Sequence, residues 1–267
     1  MKIHMYFRRK IVRIISIINL KGGVGKTMTA LELGYILHHK YGQSVLLVDN
    51  DKQGNLSQAM GKHYAEDHIC GTAQLLNGQD VNKIMRFTGE PGMGVVSADM
   101  SLLTSTYQLM GKSGEKVGQF ETLRNARAED GKPYDYIIID NPPDMGINVI
   151  NALMVTDDVI VPVKLDQWAL DGLETIKNQI SECRERNPGI KLLGILVTMY
   201  RNNDANVAGV EWLQDQGYKM FKEKIRYSEK VAESTMMGKP LEEYSPRSAA
   251  AISYRKFIEE YRRITSE

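Results

Sequence analysis

Residues 14–27 read IISIINLKGGVGKT. Ile14–Ile18 is an apolar, β-branched run with the length of a buried strand, and it ends at a glycine-rich turn. Behind the turn, TALELGYILHHK (29–40) reads as a helix, with Leu31, Leu33, Gly34, Tyr35 and Leu37 available to pack on a sheet. Strand, glycine loop and helix, in that order, form the setting that a phosphate-binding loop requires. Gly22, Gly23 and Gly25 let the backbone come close to phosphate oxygens with its N–H groups pointing inward. The helix N-terminus adds a partial positive charge of about 0.5. In such a loop Lys26 reaches the β and γ phosphates and the Thr27 hydroxyl ligates Mg²⁺. The candidate nucleotide-binding stretch is therefore Lys21, Gly22, Gly23, Val24, Gly25, Lys26, Thr27 and Met28.

The loop departs from the general pattern, which places a glycine five residues before Gly25. This chain has Leu20 there, and Lys21 stands immediately before the glycine pair. Further along, apolar runs at 44–49, 94–97, 136–140, 159–163 and 192–199 alternate with helical patterns near 102–110, 118–128, 148–155, 170–186 and 207–216. The alternation predicts a single-domain α/β fold with a mostly parallel, twisted sheet and helices on both faces. Residues 61–91 are the least regular, and no elements can be placed there from sequence.

Composition narrows the function classes. The 267 residues are 42% apolar and 25% charged, as in an ordinary soluble globular protein. With a net charge of only +1, nucleic-acid binding has to come from a local patch. Cys70 and Cys183 lie far apart in no metal-like spacing, which fits a reducing cytoplasm. No apolar stretch approaches the ~20 residues of a membrane span. The start, MKIHMYFRRKIVR, is basic, but the apolar run behind it is short and leads straight into the phosphate loop, unlike a signal peptide. It reads as a short lead-in or as a surface arm for DNA or lipid.

Carboxylates end two of the apolar runs. In VLLVDNDKQGN (45–55), Asp49 and Asp51 arrive at the C-terminal end of a strand, where ligands bind in open α/β sheets. Asp49 is placed to support the loop or the outer shell of a metal. In YDYIIIDNPPDMG (134–146), Asp140 sits in the Walker B position, holding Mg²⁺ across from Thr27. Pro142 and Pro143 stiffen the exit and Gly146 turns the chain into the next helix.

Several stretches together resemble the ParA/MinD branch of P-loop ATPases with a deviant Walker A box. KGGVGKT (21–27) matches that box. Asp51, Gln53, Gly54 and Asn55 match DxDPQGN, with Lys52 in place of the usual proline. Residues 139–146 match IDxPPxxG. Pro162, Val163, Ala169, Leu170, Gly172 and Leu173 match VIPVxxxxxALxGL. Gly238, Lys239, Pro240, Tyr244, Pro246, Ser248 and Tyr254 match the closing signature GKPxxxYxPxSxxAxxY. The resemblance runs from about Ile14 to Tyr261. It implies a lead-in over residues 1–13 and one ParA-like P-loop NTPase domain over 14–267. It also implies an ATP- and Mg²⁺-dependent hydrolase. Lys21, Lys26 and Asp51 are the catalytic candidates, and Thr27, Asp51 and Asp140 surround the metal. By resemblance, Lys21 reaches the nucleotide of a second subunit, Asp51 orients or activates the attacking water, and Thr198 and Met199 lie where the base is recognised. Met28 stands where relatives often carry a second hydroxyl, and RYSEKVAES (226–234) lacks a proline often found near the base. The widely spaced cysteines differ from relatives that hold an iron–sulfur cluster.

The same resemblance implies partners: a homodimer formed on ATP, double-stranded DNA bound without sequence preference, and a ParB-like centromere-binding protein that stimulates hydrolysis. The cargo is a plasmid, chromosome or mobile element, and the place a nucleoid-associated cytoplasm. Basic residues of the C-terminal region form the DNA patch in ParA relatives, which makes Arg201, Arg226, Lys230 and Arg247 the candidates. A solvated face is the plainer reading of those residues. Ser248 is placed to cap a last helix whose Ile252, Phe257, Ile258 and Tyr261 face the body. That helix leaves no added amphipathic membrane segment of the MinD type, so no membrane partner is expected. The alternatives are a MinD-class positioning ATPase and a nucleotide switch that no longer hydrolyses.

Overall fold

The structure, a computed structural model, describes residues 12–61, 69–111, 117–166 and 171–266. The first strand, β1 (Arg13–Ile17), starts one residue before Ile14, because the Arg13 backbone is in register with Tyr136 and its N–H donates to the Asp135 carbonyl at 3.1 Å; its guanidinium also pairs with the buried Asp158. The phosphate-loop segment then leads into α1 (Lys26–His39) and β2 (Val45–Asp49). A short α2 (Asn55–Ala59), α3 (Gly71–Leu76), α4 (Val81–Ile84) and the two-residue β3 (Arg86–Phe87) precede β4 (Met93–Val96). These two- to six-residue pieces are too short to show a period, which is why the described part of 61–91 has no readable pattern. Then come α5 (Ser101–Gly111), a 3₁₀ helix (Gln119–Asn125), β5 (Tyr136–Asp140), α6 (Ile147–Val155) and β6 (Asp158–Lys164). The chain continues through α7 (Asp171–Cys183), β7 (Lys191–Thr198), α8 (Asp204–Asp215), α9 (Lys230–Met236), α10 (Leu241–Tyr244) and α11 (Ala249–Ser266).

The strands form one sheet in the order β3-β4-β2-β5-β1-β6-β7, parallel except for the edge strand β3. Central strands alternate their side chains between two apolar layers. Ile15 and Ile17 join a core with Leu33 and Leu37 of α1 and Phe257, Ile258 and Tyr261 of α11, while Ile14 points to the opposite layer with Leu46, Phe120 and Ala152. Burial on both faces explains why these strands read as continuous apolar runs.

Two expectations are corrected. The helix anticipated near 118–128 is the shorter 3₁₀ helix, in which Phe120 and Leu123 are the buried residues. A three-residue spacing suits a helix with 3.0 residues per turn. Ile252, expected on the inner face of α11, is 40% exposed in its first turn, whereas Tyr254, Phe257, Ile258 and Tyr261 are buried. Ser248 does cap this helix, accepting from the Ala251 N–H at 3.3 Å.

The C-terminal elements are fastened to α1 by a buried carboxylate. Glu32 accepts the N–H groups of Leu241 at 2.6 Å and Glu242 at 3.0 Å. Burial pushes its carboxyl up to about 8, against the pull of those two N–H groups, with Glu242 raising it further and Arg255 lowering it. The folded state therefore holds a proton that an unfolded chain releases near pH 4.5. The stabilisation is complete below that pH and is lost as pH rises to about 8, at up to ~1.4 kcal/mol per pH unit. Thermal unfolding of Glu32→Gln is expected to show a flatter pH profile between pH 5 and 8. Parallel profiles of the two proteins contradict the assignment.

Candidate nucleotide-binding site

Register brings the candidate residues to one edge. Asp140 of β5 is the partner of Ile17 on one side and of Asp49 on the other. The glycine loop after β1, the carboxylate loop after β2 and the segment after β5 therefore leave the sheet side by side, at the C-terminal ends of the strands. Gly23 and Gly25 have φ of +71° and +87°, conformations that glycine adopts without strain. A Cβ at Gly22 or Gly23 has no heavy atom within 4 Å, so the loop is open toward the cavity it borders. That cavity, of about 720 Å³, is lined by Gly22, Gly25, Lys26, Thr27, Met28 and Asp51, among others.

Lys26 is 8% exposed and donates to the Lys21 carbonyl at 3.0 Å, folding its ammonium back under the loop. Burial lowers its pKa, opposed by Asp140, Asp51 and Asp144. Asp140 is buried and its carboxyl lies well above the usual range, first from burial and then from the charge of Asp49. The Thr27 hydroxyl hydrogen-bonds to it and Lys26 attracts it, but its Oδ1 has no partner. A buried carboxylate oxygen without a donor is costly, by ~1–3 kcal/mol. An oxygen-rich corner of Asp140 and Thr27, beside a lysine and glycine N–H groups, fits a hard divalent cation with a phosphate chain.

Asp49 and Asp51 have separate tasks. Asp49 is fully buried, with Oδ2 accepting the Ser57 N–H at 2.8 Å and hydroxyl at 2.7 Å, and Oδ1 accepting the Asp51 N–H at 3.1 Å. It holds the loop, and burial raises its carboxyl to about 7. Asp51 is half-buried at the cavity wall, and its Oδ1 accepts the Gln53 N–H at 3.0 Å. Lys52, at the family's proline position, lies 3.8 Å from Asp144 and so joins the two loops by charge. Gly146 has an ordinary φ of −70°, so the turn needs it for space rather than for its dihedral: a Cβ there falls 2.6 Å from Asn148 Oδ1.

Sequence reasoning missed a buried asparagine network beneath these loops. Asn50 donates to Asn141 Oδ1 at 2.9 Å, Asn148 donates to the Asn50 carbonyl at 3.0 Å, and the Asn141 amide donates to the Ile17 carbonyl at 3.2 Å. The network ties β1, the Asp51 loop and the start of α6 together. Its members sit beside conspicuous aspartates and prolines, and no spacing rule marks them.

The base candidates flank a second, mostly apolar cavity of about 250 Å³, which shares Gly25, Met28 and Met199 with the first. Met199 has φ of +52°, the one non-glycine residue in the left-handed region among the described residues. Strain of that kind clusters at binding sites. Thr198 donates to the Val24 carbonyl at 2.8 Å, so it braces the phosphate loop and keeps only acceptor capacity for a ligand.

Lys21 is turned away from its own cavity and pairs with Asp166. The DNA candidates are all exposed. The Arg201 guanidinium stacks on the Tyr227 ring at 3.8 Å, and a parallel bridge between Tyr200 and Arg226 sets Arg201 and Arg226 on adjoining strands of chain. Lys230 pairs with Glu233 at 2.7 Å, and Arg226 lines the second cavity. Arg247 precedes α11. Trp168, Ala169 and Leu170, like residues 1–11 of the lead-in, lie outside the described residues.

An AAA domain family model (AAA_31) matches residues 12–192. The chromosome-partitioning ATPase Soj of Thermus thermophilus is 35% identical over 93% of this chain and 95% of its own. The chromosome partitioning protein ParA of Myxococcus xanthus is 34% identical over 91% and 85%. Among solved structures, cobyrinic acid a,c-diamide synthase from Mycobacterium smegmatis, with a bound ATP analogue and magnesium, superposes with a TM-score of 0.78 at 28% identity, covering 96% of this chain and 97% of that one.

Proposed function

The chain belongs to the AAA domain family and, within it, to the Soj/ParA partitioning ATPases, and on that premise we propose that it is a DNA-partition motor switched by nucleotide. It is an ATP hydrolase that uses Mg²⁺. The observation that carries the reading is the meeting of Lys26, Thr27 and Asp51 around one glycine-cradled cavity, with Asp140, whose buried Oδ1 has no partner, hydrogen-bonded to Thr27.

In this reading the N–H groups of residues 22–27 and the N-terminus of α1 hold the phosphates, and the Lys26 ammonium leaves the Lys21 carbonyl for the β and γ oxygens. Thr27 and Asp140 hold the metal, with Asp51 close by. Held there by Thr27 and Asp140, Mg²⁺ would supply positive charge to offset the charge that develops on the transferred phosphoryl group. Asp51, fixed by its Gln53 bond, orients water for attack and accepts its proton. Met28 and Met199 enclose the base. Lys21 leaves Asp166 for the nucleotide of a second copy, so ATP closes a homodimer. The loops joined by Lys52 and Asp144 sense the γ phosphate. Closure doubles the basic surface that includes Arg201, Arg226, Lys230 and Arg247, giving a near-neutral chain a grip on duplex phosphates. A ParB-like protein stimulates hydrolysis and release, in a nucleoid-associated cytoplasmic cycle. Residues 14–267 act as one ATPase domain behind the lead-in.

Charge reversal tests the surface. Arg201→Glu and Arg247→Glu lie outside the two cavities and are expected to weaken ATP-dependent binding to unrelated duplex DNA at least tenfold, with a salt slope shallower by about 1 per lost contact and basal ATPase unchanged. Undiminished DNA binding in both removes them from the patch.

A further inference from the structure

A histidine pair and a carboxylate come together at the far end of α1, away from the nucleotide. The Nε2 of His39 lies 2.8 Å from Glu90 Oε2, and the Nε2 of His38 lies 3.9 Å from the same oxygen. All three donor atoms fall within 4.8 Å of one another. A zinc ion with bonds of about 2.0–2.1 Å spaces tetrahedral ligand atoms about 3.3 Å apart, between the two observed separations.

The ligand atoms are prepared from behind. The Nδ1 of His38 lies 2.9 Å from the Gln43 carbonyl oxygen. A carbonyl only accepts, so Nδ1 carries the hydrogen, which leaves Nε2, on the Glu90 side, as the ring's ligand atom. Such outer hydrogen bonds fix the tautomer of metal-bound histidines. The His39 ring stacks on Tyr35 at 4.0 Å and meets the His38 ring edge-on at 4.9 Å. Glu90 begins the tight turn Glu90-Pro91-Gly92-Met93, closed by the Met93 N–H on the Glu90 carbonyl at 3.0 Å, with Gly92 at φ +87°. Proline and then a positive-φ glycine hold a turn of this kind rigid. Gly92 is in turn bonded to β2 through the Val45 N–H at 2.8 Å. The carboxylate therefore stands on a fixed turn opposite the last turn of a helix, whose negative dipole end favours a cation.

We propose that His38, His39 and Glu90 bind one divalent transition-metal ion of the zinc class, with a fourth position left for water. Two imidazoles and a carboxylate suit Zn²⁺, Ni²⁺ or Cu²⁺ rather than Mg²⁺, which prefers oxygen ligands. The 14 residues of α1 put this site about 20 Å from the phosphate loop, so the two ions do not compete. The ion fastens the C-terminal end of α1 to the β3–β4 turn. Nothing in the site depends on the partition reading.

The test is calorimetric titration of the tag-free, EDTA-treated full chain with Zn²⁺ in millimolar Mg²⁺, alongside thermal unfolding with and without Zn²⁺. The expected result is saturable uptake of one equivalent that raises Tm. Glu90→Gln and His38→Ala are each expected to weaken uptake at least tenfold and abolish the Tm rise, with Mg-ATP binding retained as the check on folding. His39→Gln serves the same purpose should either variant fail to fold. Absence of saturable uptake, or uptake undiminished in the folded variants, overturns the proposal and leaves His39 and Glu90 as an ordinary surface pair.

Discussion

Asp51→Ala is expected to lower kcat for ATP by ~10²–10⁴-fold while ATP affinity stays within a few fold. In the proposed binding mode the phosphate contacts come from the glycine loop, Lys26 and Thr27, which the substitution leaves in place. Asp51 sits at the cavity wall with one oxygen held by Gln53, so its contribution is position and charge rather than support of the fold. Asp51→Asn separates these roles. Its amide oxygen still accepts the Gln53 N–H, so a comparable loss of turnover assigns the effect to the missing negative charge. Single-turnover hydrolysis of bound ATP is the measurement, and an unchanged rate places water activation elsewhere.

Lys21→Ala is expected to abolish ATP-driven dimerisation and to lower kcat by ~10²–10³-fold, the range for removing one donor from a charged transition state. In the single chain the Lys21 side chain pairs with Asp166, which does not line the nucleotide cavity, with about a third of each side chain exposed. A partly exposed ion pair of this kind contributes ~0–1 kcal/mol, so its loss leaves the monomer folded. Binding of ATP to the monomer should change little. Sedimentation in the Asp51→Ala background, where ATP persists, reads the outcome: a dimer that survives Lys21→Ala contradicts a role across the interface.

Much of this was legible in the chain because the decisive signals are local. The β-branched run into Gly22–Gly23 and the apolar approach to Asp140 each announce a buried strand ending at a site, and parallel register then fixes their meeting. The structure also sorts what spacing left undecided: Asp49 is the loop's internal anchor, since both its oxygens are spent on Ser57 and Asp51 N–H or hydroxyl donors. What stayed hidden depends on distant partners. Asn50, Asn141 and Asn148 come from three segments and meet only when the sheet is assembled. Thr198 lines the second cavity, and its hydroxyl reaches back 174 residues to Val24. Glu32, on a helix facing the sheet, reads as an anomaly until the N–H groups of Leu241 and Glu242 arrive from the far end of the chain.

The central claim is that ATP switches this chain onto DNA. The most direct measurement is binding to unrelated duplex DNA with Mg-ATP, Mg-ADP or no nucleotide across a salt series, with anionic vesicles in parallel. Binding only with Mg-ATP, falling steeply as salt rises, is the predicted result. Equal DNA binding in all three states, or vesicle binding in place of DNA binding, contradicts it.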